Sequence, residues 1–70
     1  MKLEDVTAAA EHELVVIHSH MGVQSRCRIS GVITRFSKDM GWTYSLELRD
    51  LKADCVIIAG LGQVEVERNG

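Results

Sequence analysis

The chain has 70 residues, a formal net charge of −2, 46% hydrophobic residues and two cysteines. A chain of this length forms one domain, residues 1–70, and buries only about 60% of the surface that its unfolded form exposes, so association with another chain is an expected source of stability. The acidic balance excludes a basic footprint over the whole domain, and two cysteines exclude a disulfide-rich secreted scaffold.

The first predicted element is a short helix over residues 3–12. Leu3, Val6 and Ala10 stand three and four positions apart and therefore share one helical face. A helix of about ten residues is marginal alone, so we expect it to dock on the rest of the domain.

Strand-forming residues dominate from position 13 onward. Residues 14–18 predict a first strand with apolar side chains on both faces, and Met21 with Gly22 predicts a turn. Residues 23–38 predict a long second strand that is interrupted at Gly31. Before Gly31, Cys27 and Ile29 at odd positions alternate with polar residues, whereas after it the corresponding residues stand at the even positions 32, 34 and 36. This change of parity predicts a β-bulge or sharp bend.

The second half of the chain predicts three more strands. Residues 37–41 form a hairpin connection, and residues 42–49 alternate in the cleanest strand pattern of the chain. A turn at 50–54 leads to a strand at 55–59, and a glycine-containing break at 60–62 precedes a last strand at 64–67.

A short helix followed by five antiparallel strands predicts a mainly β domain that bends into a small barrel, because closure removes exposed sheet edges. The order, the bend in the second strand and the tight break before the fifth resemble the Sm-like and SH3-like small barrels. The Asp and Asn positions that the Sm-like family has after its bent strand hold Arg35 and Lys38-Asp39 here, so no residue role is transferred.

Two histidines and a cysteine are the weak candidates for metal ligands. His18 and His20 are two positions apart on one strand face, and Cys27 follows on the next strand. The interpretation that we favour is that the histidines are ordinary polar residues at a strand end beside a turn, because no carboxylate or further histidine completes a set of ligands. Cys27 also suggests thiol chemistry, but a buried structural cysteine is the more common case. We therefore predict no metal site, no catalytic residue and no cofactor.

Half of the eight basic residues fall on the bent strand and the turn after it, close to aromatic residues. Cations beside rings are typical of small barrels that bind single-stranded nucleic acid. The candidate nucleic-acid residues are Arg26, Arg28, Arg35, Lys38 and Trp42. The competing interpretation, which we favour, places Trp42 and Tyr44 with Leu46 and Leu48 in the core.

Apolar residues occupy both faces of two predicted strands. Their number exceeds what the interior of one small domain can bury. The predicted interface residues are Leu14, Val15, Val16, Ile17, Val56, Ile57 and Ile58. The sequence thus favours a non-enzymatic binding or assembly module that forms a homo-oligomer and engages a partner protein.

Two other functions stay open: a regulator that binds RNA or single-stranded DNA, and a barrel oligomer that encloses a small ligand between subunits. The acidic N-terminus and the longest uninterrupted apolar run, only residues 56–59, predict a cytoplasmic protein without a membrane partner.

Overall fold

The computed structural model describes residues 1–67. In that range the elements are α1 (Leu3–Glu11), β1 (Val16–His20), β2 (Val23–Ser37), β3 (Gly41–Asp50), β4 (Val56–Gly60), the 3-10 turn η1 (Leu61–Gln63) and β5 (Val64–Val66). All paired strands are antiparallel, in the order β4-β3-β2-β1-β5. The predicted mainly β domain, with a short N-terminal helix before five strands, is confirmed.

Helix α1 docks on the sheet through Val6 and Ala9, both buried, rather than through the predicted Leu3 and Ala10. The helix ends where Glu13 adopts a left-handed conformation with φ 51°. The N–H of Leu14 then donates to the Ala9 carbonyl at 2.9 Å, which is the wide hydrogen bond of a Schellman motif. This ending turns the chain directly into β1.

The β1–β2 hairpin has the two-residue turn that the sequence predicts. Met21 and Gly22 both have positive φ, 50° and 81°, and His20 pairs with Val23 across the turn. Two positive φ values define a type I′ turn, whose twist matches that of the flanking strands. The hairpin therefore fixes the register of β1 on the first third of β2.

A register shift between Ile29 and Gly31 forms the predicted bulge in β2. Before it Ile29 pairs with Leu48, and after it Val32 pairs with Leu46. One extra residue on β2 changes which parity faces the core, so odd positions before the bulge and even positions after it share one face. The side chains of β2 beyond Gly31 consequently continue the core face of the sheet.

The core lies on one side of the sheet, between its inner face and α1. Its fully buried members come from the helix and from all five strands: Val6, Ala9, Val16, Cys27, Leu46, Leu48, Ala59 and Val64. Leu46 and Leu48 are thus core residues, as predicted. Trp42 and Tyr44, which the favoured sequence interpretation placed with them, are exposed, so that part of the prediction is wrong.

The sheet curls strongly without closing. The first and last strands of a flat five-stranded sheet would be about 19 Å apart, whereas the three-residue turn η1 between β4 and β5 rises only about 6 Å. Among residues 1–67, β4 and β5 are nevertheless the two edge strands and do not pair with each other. The closed barrel expected from the sequence is therefore not formed by one chain.

Two glycines in the β2–β3 hairpin are expected to respond differently to alanine. Gly41 has a φ of 72°, so Gly41→Ala is expected to lower the free energy of unfolding by about 1 kcal/mol. Gly31 needs no positive φ, and an added Cβ would meet only the flexible Glu47 carboxylate at 3.2 Å, so Gly31→Ala should stay within about 0.5 kcal/mol of the wild type. Urea denaturation of both variants checks this, and equal losses would contradict it.

Candidate functional site

The two histidines stack on each other but have no set of ligands around them. His18 and His20 lie on the inner face of β1 with ring centroids 6.2 Å apart and rings 7° from parallel. Cys27 is on the same face, opposite Val16 and buried in the core. Among the described residues no group of three or more His, Cys, Asp or Glu side chains is placed to hold a metal ion.

The two cysteines flank Asp50 and are both free thiols. Cys27 pairs with Asp50 across β2 and β3, and the N–H of Asp50 donates to the Cys55 carbonyl at 2.9 Å. Burial raises the pKa of the Cys27 thiol, and the neighbouring Asp50 and Cys55 raise it further. A raised pKa lowers the thiolate fraction at neutral pH, the opposite of what a nucleophile requires.

Alkylation of the native protein is therefore expected to label one thiol. Exposed Cys55 should react readily with iodoacetamide, while buried Cys27 should react only after denaturant is added. Intact-mass measurement of the native and unfolded protein counts the labels. Rapid double labelling of the native chain would contradict the buried position of Cys27.

The predicted basic residues lie on the outer face of the sheet or at its tip. Arg26 and Arg28 are on the outer face before the bulge, and the parity change brings Arg35 to that same face. Lys38 is in the turn at the tip of the β2–β3 hairpin. The Arg26 Nε donates to the Glu67 carboxylate at 2.8 Å, so one of these cations is already paired.

The aromatic residues lie on the opposite face of the same hairpin. Phe36 pairs with Trp42 and Thr34 with Tyr44, whereas Arg35 pairs with Thr43 on the other side. The rings of Phe36 and Trp42 are 5.4 Å apart between centroids and tilted by 58°, a favourable aromatic contact. Trp42 is therefore not brought together with the three arginines.

The uncovered apolar residues of this region form one surface, which we call the aromatic face: Val32, Phe36, Trp42 and Tyr44. Phe36 and Trp42 are each 64% exposed, Val32 44% and Tyr44 37%. Phe36 and Val32 were not among the sequence candidates. The parity change at Gly31 is the signal that could have identified them, because it moves them to the face of Trp42.

The predicted interface residues divide into core and surface. Val16 is fully buried, and Ile57 is partly buried and packs against the core. Val15 and Ile17 are half-buried, and Leu14 is exposed just before β1. Val56 and Ile58 are 51% and 55% exposed on the outer face of the edge strand β4, which makes them the most accessible of the set.

Backbone groups of β4 also point away from the sheet. We call each pair of residues that face each other across two strands a row. The Asp50 N–H donates to the Cys55 carbonyl, and this row is next to the row of Arg49 and Val56. In an antiparallel ladder bonded and non-bonded rows alternate. The N–H and C=O groups of Val56 and Ile58 are therefore directed outward, at the free edge.

The same alternation describes the other edge of the sheet. The N–H of Glu67 donates to the Val15 carbonyl at 2.9 Å, one row beyond the pair of Val16 and Val66. Val64 and Val66 consequently direct their backbone groups outward, although the Val64 N–H is bonded to the Leu61 carbonyl. Both edges thus present outward backbone groups two residues apart.

Two open grooves of about 420 Å³ each lie at the ends of the sheet. One lies between α1 and β5 and is lined in part by Met1, Leu14 and Val66. The other lies beside the turn after β3, where the backbone N–H groups of Ala53 and Lys52 donate to Asp50 and hold the pKa of its carboxyl below the usual range.

No helix within residues 1–67 combines the length and apolarity needed to cross a membrane. No protein-family model, curated protein or solved structure matches the chain.

Proposed function

We propose that this chain is a non-enzymatic assembly module that associates with copies of itself through the edges of its sheet and, once assembled, engages a partner protein. The observation that carries the proposal is the pair of unlike free edges, β4 and β5. Unpaired edge strands are templates for adding another strand, and proteins that stay single usually protect them with charges or proline. The accessible residues of β4, Val56 and Ile58, are instead apolar and β-branched.

The two edges are complementary to each other. On β4, Val56 and Ile58 direct their N–H and C=O groups outward. On β5, Val66 does the same, while Val64 offers its C=O because its N–H is bonded to the Leu61 carbonyl. Both edges thus have the two-residue spacing of a ladder. Because β4 differs from β5, pairing β4 of one copy with β5 of the next gives a heterologous contact that repeats until a ring closes or a filament grows.

Pairing between copies also accounts for the incomplete barrel. The curled sheet has the helix, strand order and bent second strand for which the sequence resembles Sm-like and SH3-like barrels, and its two edges remain open. In this proposal a strand from the neighbouring copy covers each edge that the curled sheet of one chain leaves unpaired, and the small barrel is completed between copies. The apolar strand residues in excess of one interior are then used at the contact.

The charge distribution supports this function over nucleic-acid binding. Stacking of bases beside phosphate-binding cations needs both on one surface. Here the arginines lie on the outer face and the rings on the inner face, and Arg26 is paired with Glu67. The small-ligand alternative would require a cavity at the junction between copies, for which the groove between α1 and β5 is the nearest feature.

Light scattering of the purified protein at micromolar concentration tests the proposal. We expect a particle of more than two chains of 7.8 kDa each, because a head-to-tail contact propagates. The mass should change little with salt, since the contact depends on backbone hydrogen bonds and apolar side chains. A mass of one or two chains would contradict the proposal.

A further inference from the structure

The distal part of the β2–β3 hairpin extends beyond the other strands. β1 pairs with β2 only as far as Cys27, and β4 pairs with β3 only from Ser45 to Arg49. Residues 34–37 of β2 and 41–44 of β3 therefore pair only with each other, among the residues described. We call this segment the distal ribbon. A two-stranded ribbon is marginal in water unless one face is packed.

Helix α1 covers only the other half of the same face. Val6 and Ala9 of the helix join Leu46 and Leu48 in the core, but the rings of Tyr44 and Trp42, two and four residues before Leu46 on β3, stay exposed. The aromatic face is thus a direct continuation of the core surface. It has the composition of an interior, and within residues 1–67 no element covers it.

The chemistry of the aromatic face limits what can cover it. Its side chains and the intervening Thr34 are all uncharged, and the charged residue of the distal ribbon, Arg35, lies on the opposite side. No charge on this face would recognise a phosphate, an acidic peptide or a basic one. A partner of matching chemistry is another uncharged apolar surface, and every copy of the chain carries one.

The area is sufficient for two copies. A fully buried aromatic residue removes 150–250 Å² from water, so at the exposures given above the three rings offer roughly 300 Å² and Val32 raises the apolar total to about 400 Å². Complete burial of two such faces against each other would remove at most about 800 Å² of these side chains from water. Thr34 and the ribbon backbone bring the contact to about 1,000 Å², the lower limit for a specific interface.

From these observations we infer that the aromatic face is a second contact between copies, in which two distal ribbons pack face to face about a two-fold axis. This contact goes beyond the edge pairing of the proposed function and does not depend on it, because it uses different residues on a different surface. A two-fold contact is satisfied by two copies, whereas edge pairing propagates.

Trp42, the only tryptophan of the chain, is a built-in probe at the centre of this contact. The test uses the full chain carrying Ile58→Pro, which removes one of the outward N–H groups of β4 and places a proline in the edge, so that edge pairing is disrupted. At high concentration we expect light scattering to report two chains and Trp42 emission to lie at shorter wavelength. Dilution should separate the pair and shift the emission to that of a water-exposed indole.

Two adjacent substitutions in that background provide the matched comparison. Phe36→Ser should give a single chain with water-exposed emission at every concentration, while Arg35→Ser, on the opposite face, should leave the pair intact. Both side chains are exposed in the single chain, so both variants are expected to fold, and far-UV circular dichroism verifies this.

Three results would overturn the inference: a single chain with exposed Trp42 at all concentrations in the Ile58→Pro protein, a pair that survives Phe36→Ser, and an emission shift that appears only when single-stranded oligonucleotide is added. None of these decides the edge proposal. That proposal fails instead if Ile58→Pro leaves the particle mass of the wild type unchanged.

Discussion

Leu46→Ala is expected to remove most of the stability of the folded chain. Leu46 is fully buried at the centre of the sheet, between Val32 on β2 and Ala59 on β4. Truncating such a leucine costs about 2–5 kcal/mol, because it removes apolar burial and leaves a cavity. A domain of this size has a total stability of roughly 4–10 kcal/mol, so the loss is a large fraction of it.

Urea denaturation followed by far-UV circular dichroism measures this effect. The protein concentration must be the same for the wild type and the variant, because self-association adds to the apparent stability. Leu51→Ala, in the partly exposed turn after β3, is the matched control and should cost less than about 1 kcal/mol. Equal losses in the two variants would show that Leu46 is not the centre of the core.

Ile58→Pro is expected to disassemble the particle without unfolding the chain. Ile58 lies in a non-bonded row of the β3–β4 ladder, so its N–H points to the free edge and its replacement by proline breaks no bond to β3. The same N–H is a donor in the proposed contact with β5 of the next copy. Loss of that donor and of the exposed isoleucine side chain removes two parts of the contact.

Light scattering at matched concentrations should show the particle fall from more than two chains to at most two, the number that the aromatic face would hold together. Ile58→Thr serves as the control for the side chain, because it keeps the backbone donor and a β-branched residue while removing apolar surface. We expect Ile58→Thr to weaken the assembly less than Ile58→Pro does. An unchanged mass for Ile58→Pro would exclude β4 as the assembling edge.

Much of the fold could be predicted because its signals are local. Three expectations each depend on a few neighbouring residues: the alternation along residues 42–49, the turn at Met21 and Gly22, and the parity change at Gly31. Each of these expectations is confirmed. Proximity in the sequence nevertheless groups Trp42 with the arginines, whereas strand pairing places Arg35 and Phe36 on opposite faces.

The exposure of Trp42 and Tyr44 could not be predicted in this way. They have the same parity as Leu46 and Leu48, and alternation correctly places all four on one face. Whether a residue on that face is buried depends on how far α1 extends over the sheet and how far β4 extends along β3. Both are decided by distant parts of the chain. A core prediction from parity alone therefore extends too far along the hairpin.

Which strands form the edges of the sheet could not be predicted from the sequence either. Residues 14–17 and 56–58 both have apolar side chains on the two faces of a predicted strand, so the sequence does not distinguish between them as interface segments. Strand order separates them, because β1 lies between β2 and β5 while β4 has a neighbour on one side only. That order is set by pairing between strands far apart in the chain, and it leaves β4 as the accessible segment.

Amide hydrogen exchange at Ile58 tests the assembly most directly. In a single chain the Ile58 amide points to solvent, whereas the Ile57 amide is in a bonded row with Leu48. We predict that both amides are protected at micromolar concentration and that dilution below the assembly threshold removes the protection of Ile58 alone. Rapid exchange of Ile58 at every concentration, with Ile57 still protected, would contradict the account.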